Sequence, residues 1–317
     1  MNEPQRPAFT RAQLLRLGAA LCAGAALPSF AQQQGRPAMT KMSTRPIPST
    51  QEALPVVGCG TWIGFDHRPG TDEYKRLPGV LDALFAAGGK VIDSSPMYGR
   101  SEETTGELLA ASKQRENREA FLATKVWTSG REAGIAQMEQ SFARLRTQRI
   151  DLMQVHNLVD WKTQLATLRG WKDKGRVRYI GITHYTASAY GEVEAVLRAE
   201  KLDFVQINYS LDAREAEQRL LPLAAERGVA VIVNMPFGGG GLLRRLRDQP
   251  LPAWAGEIGC TSWAQVLLKF VLSHPAVTCA IPGTSRAEHM ADNAAAGAGE
   301  FPDAGFWRRN AGSIGLS

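Results

Sequence analysis

The sequence predicts an α/β protein built as a (β/α)8 TIM barrel, in a single domain with an N-terminal hairpin. Eight short runs rich in apolar and β-branched residues alternate with amphipathic stretches of helical period. The first seven runs begin roughly 26–34 residues apart, which is the length of one strand–helix unit. A helix between consecutive strands favours parallel pairing, and eight such units favour closure of the sheet into a barrel.

Each predicted strand lies at the start of one strand–helix unit. They span residues 56–62, 90–95, 120–126, 150–156, 177–183, 204–210, 230–236 and 277–283. The longer gap before the eighth strand leaves room for an extra segment at 238–252, before a helix at 261–273. Residues 42–54 are predicted to form a polar hairpin that closes one end of the barrel.

An open, doubly wound nucleotide-binding sheet is the rival fold. Residues 58–64, Gly-Cys-Gly-Thr-Trp-Ile-Gly, look at first like its glycine fingerprint, but the spacing is off by one. Trp62 and Ile63 would also stand where the phosphate-facing helix should begin, and no acidic residue closes a second strand about 20 residues later. These features favour the barrel.

The N-terminus has the pattern of an export signal. Three arginines, at positions 6, 11 and 16, precede a short Ala-rich apolar run at 17–27, and small residues at 29 and 31 stand at −3 and −1 of a cleavage point. We therefore predict a signal peptide over residues 1–31, a linker over 32–41 and the barrel over 42–317. Residues 10–15 resemble a twin-arginine signal that has lost its second arginine, and a Sec signal is the alternative. Either export machinery would be a partner, and the location would be periplasmic or exported, or cytoplasmic if the signal is not cleaved.

Composition limits the partners of the mature chain. The full chain has a net charge of +6, of which residues 1–31 contribute +2, and it has no run of five or more basic residues, so no nucleic-acid surface is expected. The apolar run of the signal is too short to span a bilayer comfortably, so no stable membrane insertion is expected. The cysteines beyond the signal, Cys59, Cys260 and Cys279, are odd in number and widely spaced, which predicts buried thiols and no disulfide framework.

Titratable residues stand at three successive strand ends. Asp93 ends the second strand, with Tyr98 five residues further on; Lys125 ends the third and His156 the fourth. Catalytic groups of such barrels lie at the carboxyl ends of the strands. Each residue has an ordinary structural interpretation alone, but the four together at one rim favour a catalytic site.

The chemistry of these four groups is mutually consistent. A phenol is a poor acid at neutral pH, and we expect the Lys125 ammonium to lower the pKa of Tyr98. A buried lysine needs a carboxylate, which Asp93 provides. Tyr98 would then donate a proton to a carbonyl oxygen that His156 orients. Reduction of that carbonyl also needs a hydride, which only a cofactor can supply.

The same residues carry a family resemblance. Residues 91–99, Val-Ile-Asp-Ser-Ser-Pro-Met-Tyr-Gly, followed by Ser101-Glu102-Glu103, resemble the aldo-keto reductase signature, as do Ala-Thr-Lys at 123–125 and Gln-Val-His at 154–156. The match runs from about residue 42 to about residue 295. It implies an NADPH-dependent oxidoreductase of aldehydes and ketones, with the tetrad Asp93, Tyr98, Lys125 and His156 on a (β/α)8 barrel and no metal.

The resemblance also implies a cofactor cleft and a substrate pocket. The implied cofactor-binding positions are Gly60, Thr61, Trp62, Thr183, His184, Gln206, Asn234, Pro236, Gly238, Gly283, Thr284, Ser285, Arg286, His289, Asp292 and Asn293. Trp62 and Trp127 resemble the aromatics that line the pocket. Gln206 resembles the glutamine that holds the nicotinamide carboxamide.

Several of these positions depart from the family pattern. His184 stands where the family has Asn, and it is interpreted as a hydrogen-bonding substitute. Asn234 stands where the family has an aromatic ring stacked on the nicotinamide.

At the phosphate end of the cleft, the glycines at 238–241 either let backbone approach the pyrophosphate or form a flexible loop. Thr284 and Ser285 are expected to open a helix, with Arg286 as the charge for a 2′-phosphate. Gly283 and His289 replace the commoner lysine and arginine, so NADH remains the alternative to NADPH.

Two other functions fit parts of this pattern. A cofactor-binding sensor or accessory subunit with little turnover is favoured by Asn234 and by the export signal, but the intact tetrad opposes it. A metallohydrolase barrel with Asp93, His156 and His184 as ligands lacks the His-x-His that its first strand would need. The short chain after the last helix predicts an open, shallow pocket for small aldehydes or diverse carbonyls.

Overall fold

Residues 41–112 and 119–315 are described by the computed structural model of this chain. The predicted signal peptide over 1–31 and nearly all of the linker over 32–41 lie outside the described residues. Within the described ranges, no helix is long and apolar enough to cross a membrane.

Eight parallel strands form one curled sheet in which each strand pairs with its neighbour in the sequence. In chain order they are β3 (Cys59–Gly60), β4 (Val91–Asp93), β5 (Phe121–Val126), β6 (Ile150–His156), β7 (Val177–His184), β8 (Phe204–Asn208), β9 (Ala230–Asn234) and β10 (Val277–Ala280). Parallel bridges join Val57 to Ala280 and Gly60 to Gly283, so the first and last strands of the sheet meet. The eight runs identified in the sequence are therefore the eight strands, in the closed arrangement expected of a (β/α)8 barrel.

The helices alternate with these strands. They are α1 (Asp72–Ala86), α2 (Ser101–Ala111), α3 (Arg131–Leu145), α4 (Trp161–Asp173), α5 (Tyr190–Ala199), α6 (Leu220–Glu226), α7 (Gly241–Leu246), α8 (Trp263–Ser273), α9 (Ala287–Ala295) and α10 (Ala304–Asn310). Side-chain caps set the start of several of them: Thr71 accepts from the backbone N–H of Tyr74 at 3.2 Å, and Ser262 accepts from that of Gln265 at 3.1 Å. The helix predicted at 261–273 thus begins at Trp263 with Ser262 as its cap, and α7 lies inside the extra segment predicted at 238–252.

A hairpin lies at the amino ends of the strands, as predicted for residues 42–54. Its strands β1 (Thr44–Pro46) and β2 (Ala53–Pro55) pair antiparallel. Ile47 and Leu54 of the hairpin are fully buried in the same apolar cluster as strand residues of the barrel interior. That cluster includes three contacting aromatic rings, from Phe121, Tyr179 and Phe204. The interior is therefore filled with side chains at this end, which leaves the opposite, carboxyl end for a site.

Polar contacts hold the hairpin in place. Tyr179 donates its hydroxyl hydrogen to Glu52 at 2.8 Å, and Arg178 and Lys90 form ion pairs with the same carboxylate. Glu52 thereby ties the hairpin to two separate strand starts. Burial raises the pKa of Glu52, but the hydrogen bonds from Tyr179 and Arg178 and the charges of Arg178 and Lys90 together outweigh it, so the net pKa is lowered.

Candidate active site

A buried ion pair lies at the carboxyl ends of β4 and β5. The Lys125 Nζ donates to Asp93 Oδ2 at 2.6 Å and to the backbone carbonyl of Ser94 at 2.7 Å. Asp93 is 2% exposed and Lys125 is 1% exposed. The second carboxylate oxygen of Asp93 accepts from Gln154 Nε2 at 3.4 Å. Buried charges persist only when paired and hydrogen-bonded, and these two groups meet that condition.

Tyr98 lies directly beside this ion pair. The Lys125 Nζ is 5.0 Å from the centroid of the Tyr98 ring. The chain turns at Gly99, where φ is +57° and a Cβ would stand 2.4 Å from the carboxylate of Asp66. Asp66 in turn accepts from the backbone N–H of Arg100 at 2.9 Å. The left-handed turn directly after the tyrosine therefore favours glycine.

The electrostatics of the phenol correct one expectation. Burial raises the pKa of Tyr98, the Lys125 ammonium lowers it, and the Asp93 carboxylate raises it, with a net rise above the ordinary value. The prediction of a lowered pKa is wrong for the net effect, because removal from water outweighs the ammonium. Burial also lowers the pKa of Lys125, but the Asp93 carboxylate and the phenol raise it to a net increase. At neutral pH, Tyr98 is therefore protonated and Lys125 is charged.

His156 completes the cluster from the end of β6. Its ring meets the Tyr98 ring edge to face, with 5.9 Å between centroids and 85° between planes. Its Nδ1 is 3.1 Å from the Ser95 Oγ. Burial, then the Lys125 ammonium and then His184, hold the pKa of His156 at about 2, so the imidazole is neutral. The four residues predicted as catalytic thus meet at one rim of the barrel.

Unpartnered amide oxygens lie near this cluster at the ends of the next strands. Thr183 is in register with His156 on one side and with Gln206 on the other. The Oε1 of Gln206 and the Oδ1 atoms of Asn208 and Asn234 are buried, and none has a hydrogen-bond partner among the described residues. Buried acceptors of this kind ordinarily find a donor. A bound molecule or an ordered water would supply the donor here.

His184 has the hydrogen bonding of a neutral donor. Its Nδ1 is 3.2 Å from the backbone nitrogen of Thr186, whose N–H donates to it. The remaining proton of the ring is then on Nε2. Burial lowers the pKa of His184, and its ring stacks on that of Tyr185 at 5.7 Å. A neutral Nε2–H donor agrees with the interpretation of His184 as a substitute for an asparagine amide.

The segment after β9 is a defined turn. Met235 has φ of +50°, and Gly238, Gly239 and Gly240 have φ of +57°, +62° and +84°. Pro236 lies between them and is buried. Three successive residues in the left-handed region are favourable only when all three are glycine. The conformation of this turn therefore requires the glycine run, whereas a flexible loop would not.

Two of the predicted residues at the end of β3 belong to the barrel wall. A Cβ on Gly60 would stand 2.8 Å from the carbonyl oxygen of Ile281, so glycine allows the first and last strands to approach. Thr61 is fully buried and donates its hydroxyl hydrogen to one of two oxygens, the carbonyl of Asp93 at 3.0 Å or the Ser94 hydroxyl at 2.9 Å. Thr61 therefore braces the strand end that carries Asp93, while the next residue, Trp62, is 58% exposed on the rim.

The residues after β10 differ in part from expectation. Gly283 is bridged to Gly60. Thr284 and Ser285 do not open the helix, because α9 begins at Ala287; instead the Thr284 hydroxyl accepts from the backbone N–H of Arg286 at 3.1 Å. Such a hydroxyl-to-backbone bond favours a turn over a helical start. The predicted helix boundary is therefore wrong, and Arg286, with 54% of its side chain exposed, is the residue that precedes the helix.

The three predicted residues on α9 have different surroundings. His289 is exposed and Asn293 is buried. The Asp292 carboxylate accepts from the Ser262 hydroxyl at 2.7 Å and from Gln265 Nε2 at 2.6 Å. Asp292 thus joins α9 to the start of α8, and its two oxygens are already hydrogen-bonded.

Four further residues of the site carried no distinct signal in the sequence. Ser94 and Ser95 lie inside the motif around Asp93, and Gln154 lies two residues before His156. Asn157 follows His156 with φ of +51°, and its buried Oδ1 has no partner among the described residues. Their roles depend on which way each side chain points, which local sequence does not encode.

Over residues 41–112 and 119–315, no group of three or more His, Cys, Asp or Glu side chains is placed to hold a metal ion. Asp93 already accepts two hydrogen bonds, one of them from the Lys125 ammonium.

Comparison with known proteins agrees with this geometry. The family model described as "Aldo/keto reductase family" matches residues 56–308. The methylglyoxal reductase YeaE of Escherichia coli is 29% identical over 251 residues, covering 77% of this chain and 85% of the relative. The aldo-keto reductase YhdN of Bacillus subtilis is 31% identical over 209 residues, or 61% of each chain.

A solved structure extends the comparison to three dimensions. The aldo/keto reductase of Klebsiella pneumoniae in complex with NADP and acetate has a TM-score of 0.70 and 26% identity, and the alignment covers 85% of this chain and 94% of that one. Fold, strand-end residues and family model agree over most of the sequence. The chain belongs to the aldo/keto reductase family of oxidoreductases.

Proposed function

We propose that this protein reduces aldehydes and ketones to alcohols with NADPH, and that Tyr98 is the proton donor. The observation that carries the proposal is the buried Asp93–Lys125 pair with its ammonium 5.0 Å from the Tyr98 ring centroid. A structural role alone does not require a buried ion pair, since apolar residues of similar volume are often as stable. A tyrosine that donates its proton beside a fixed ammonium does require the ion pair, because Asp93 keeps Lys125 charged and in place.

The cofactor proposal is supported by the unpartnered acceptors of the site. A nicotinamide carboxamide has N–H donors and a carbonyl acceptor. We assign its N–H group to Gln206 Oε1, which is buried without a partner among the described residues, and its oxygen to the Nε2–H of His184. The Klebsiella pneumoniae relatives are described in complex with NADP and NADPH. When bound, NADPH would supply the hydride that no side chain can provide.

The residues of this chain would perform the rest of the chemistry. His156, as a neutral imidazole, orients the carbonyl oxygen by a hydrogen bond. Tyr98 gives its phenolic proton to that oxygen as negative charge develops there, and Lys125 stabilises the phenolate that results. Asp93 keeps Lys125 in place and charged. The product alcohol then holds one hydrogen from Tyr98 and one from the cofactor, and solvent returns the proton to Tyr98.

The substrate pocket is proposed to be open and shallow. Large apolar side chains stand exposed after four strands of the carboxyl rim, β3, β4, β5 and β7: Trp62, Ile63, Met97, Trp127 and Tyr185. Such a rim suits small aldehydes and diverse carbonyls, and the Escherichia coli relative is described as a methylglyoxal reductase. A panel from methylglyoxal to a steroid ketone tests this, and turnover of the large substrates alone would contradict it.

The preference for NADPH over NADH rests on Arg286. Its guanidinium is half exposed just before α9, where it can meet a 2′-phosphate. Quenching of tryptophan fluorescence measures both dinucleotides directly. Arg286→Ala should weaken NADPH binding and leave NADH binding unchanged; an equal loss for both would remove Arg286 from the phosphate site.

Tyr98→Phe tests the central proposal. This change removes the proton donor and keeps the ring, so turnover should fall about 100-fold or more because general acid catalysis is lost. NADPH binding by fluorescence quenching should be retained. Unchanged turnover in Tyr98→Phe would exclude Tyr98 as the donor.

A second candidate function is a cofactor-binding sensor or accessory subunit. Asn234 favours it, because its amide cannot stack on a nicotinamide as an aromatic ring does. Under this alternative the wild-type protein binds NADPH but reduces no member of the carbonyl panel.

We further propose that residues 1–31 are an export signal and that residues 42–317 are the mature barrel. The basic start, the short apolar run and the small residues before position 32 support this. Cell fractionation of the full chain and of a chain lacking residues 1–31 tests it. Equal distribution of the two chains would contradict the proposal.

A further inference from the structure

Ser95 makes a buried contact with the catalytic histidine. Its side chain is 0% exposed, and its Oγ lies 3.1 Å from the Nδ1 of His156. The same Oγ accepts a hydrogen bond from the backbone N–H of Met97 at 3.4 Å. These two are the partners of the Ser95 hydroxyl among the described residues.

Counting protons across this contact fixes its direction. A serine hydroxyl has one hydrogen to donate and can accept two. If Nδ1 carried a hydrogen, Ser95 would accept from both Met97 and His156, and its own hydrogen would be buried without an acceptor. A buried donor without a partner is costly, so Ser95 donates to Nδ1.

Because the His156 ring is neutral, the direction of the hydrogen bond from Ser95 decides which ring nitrogen carries the hydrogen. His156 is 5% exposed, and burial and the nearby ammonium keep its imidazole uncharged. A neutral imidazole has one N–H, so accepting at Nδ1 leaves the hydrogen on Nε2. The opposite tautomer would present a lone pair at Nε2 and repel a carbonyl oxygen.

We propose that Ser95 is a positioning residue that holds His156 in the tautomer with its hydrogen on Nε2, so that His156 donates a hydrogen bond to the substrate oxygen. This inference rests on the proposed carbonyl reduction, and it adds a residue that acts through His156 without touching the substrate. In many other catalytic histidines, a carboxylate or a backbone carbonyl accepts a hydrogen bond from Nδ1–H and so keeps the hydrogen on Nδ1. In this protein the Ser95 hydroxyl donates to Nδ1 and so keeps the hydrogen on Nε2, which is the opposite tautomer.

Nitrogen-15 NMR of the imidazoles tests the tautomer without reference to activity. The chain has five histidines, and the His156 signals are identified by their loss in His156→Gln. The expected result for the wild type is a protonated Nε2 and an unprotonated Nδ1. A protonated Nδ1 in the wild type would overturn the proposal, whatever the enzyme does.

Steady-state kinetics tests the consequence. Ser95→Ala should lower kcat about 10- to 100-fold, the range expected when a hydrogen bond to a developing charge is lost. NADPH binding should not change. Ser95→Thr, which keeps the hydroxyl, should restore most of the activity.

Ser141→Ala is the matched control. Ser141 is equally buried, and its hydroxyl donates to the backbone carbonyl of Gln137 at 3.3 Å within α3, away from the site. This variant loses one buried hydrogen bond and should keep its kcat. A loss in Ser141→Ala as large as that in Ser95→Ala would show a general folding effect and overturn the proposal.

The tautomer of His156 in the Ser95→Ala variant separates the remaining outcomes. A population of protonated Nδ1 together with the fall in kcat supports the positioning role. A fall in kcat with the tautomer unchanged overturns it. If the wild type neither binds NADPH nor turns over, the proposed function fails, while the wild-type NMR result still decides the role of Ser95.

Discussion

The buried Asp93–Lys125 pair allows a quantitative test of the site's electrostatics. Asp93→Asn leaves an uncompensated ammonium, and Lys125→Met leaves an uncompensated carboxylate, each almost fully buried. Each single change should reduce the free energy of unfolding by about 3–5 kcal/mol. The double variant leaves two neutral groups and should lose little more than either single, which corresponds to a coupling energy of about 3 kcal/mol.

Urea unfolding measures these free energies. Transitions followed by tryptophan fluorescence and by far-UV circular dichroism should coincide, and equal slopes allow comparison of the midpoints. The Asp72–Lys75 pair is the matched control, because it joins the same residue types at 2.9 Å with side chains 77% and 64% exposed. Its coupling energy should be about 0–1 kcal/mol.

The result that would refute the reasoning is additivity at the buried pair. If the losses of Asp93→Asn and Lys125→Met sum to that of the double variant within about 0.5 kcal/mol, the two charges do not depend on each other. The interpretation of Lys125 as a cation held by Asp93 would then fail, and with it the basis for assigning the proton donor.

The pKa of His156 is about 2 in the folded chain against an ordinary 6.5, so between these values only the unfolded chain binds the proton, and stability should fall as pH falls from 6.5 towards 2. His156→Gln should flatten this part of the acid denaturation curve. An unaltered curve would contradict the prediction. The pKa of Tyr98 lies above the ordinary 10.0, so kcat should stay level through neutral pH and fall only above that value; an inflection near neutrality would assign the proton to another group. Gly106→Ala places a Cβ 2.1 Å from a backbone carbonyl of α3 and should cost about 1–3 kcal/mol in urea unfolding. Gly170→Ala, with open space around its Cβ, is its control, and equal effects would refute the close approach.

The strand ends were predictable from the sequence because they depend on local pattern. Short apolar runs at a regular step place Asp93 and His156 at strand ends, and the barrel brings such ends to one rim. The chemistry of Tyr98 and Lys125 then explains why those residue types occur together. These inferences need only the order of the elements and the charges of the groups.

The surroundings of the site were less predictable because they depend on side-chain direction and burial. Thr61 and Asp292 occupy positions that resemble cofactor contacts, yet their oxygens hydrogen-bond to protein groups. The net rise in the pKa of Tyr98 reflects removal from water, which the neighbouring lysine alone does not reveal. Ser95 carries no such signal, because a serine two residues after an aspartate forms no sequence pattern that points to a histidine 61 residues away.

The closing strands of the barrel also set the reactivity of two of its cysteines. Cys59 in β3 belongs to the apolar layer beneath the helices, whereas Cys279 in β10 belongs to the interior cluster, so the two thiols lie on opposite faces of the wall. Side chains that diverge in this way cannot form a disulfide unless the wall moves. Burial, followed by the Asp93 carboxylate, raises the pKa of both thiols, that of Cys59 to about 12. The thiolate, which is the form that reacts with oxidants, is therefore scarce at both positions at neutral pH.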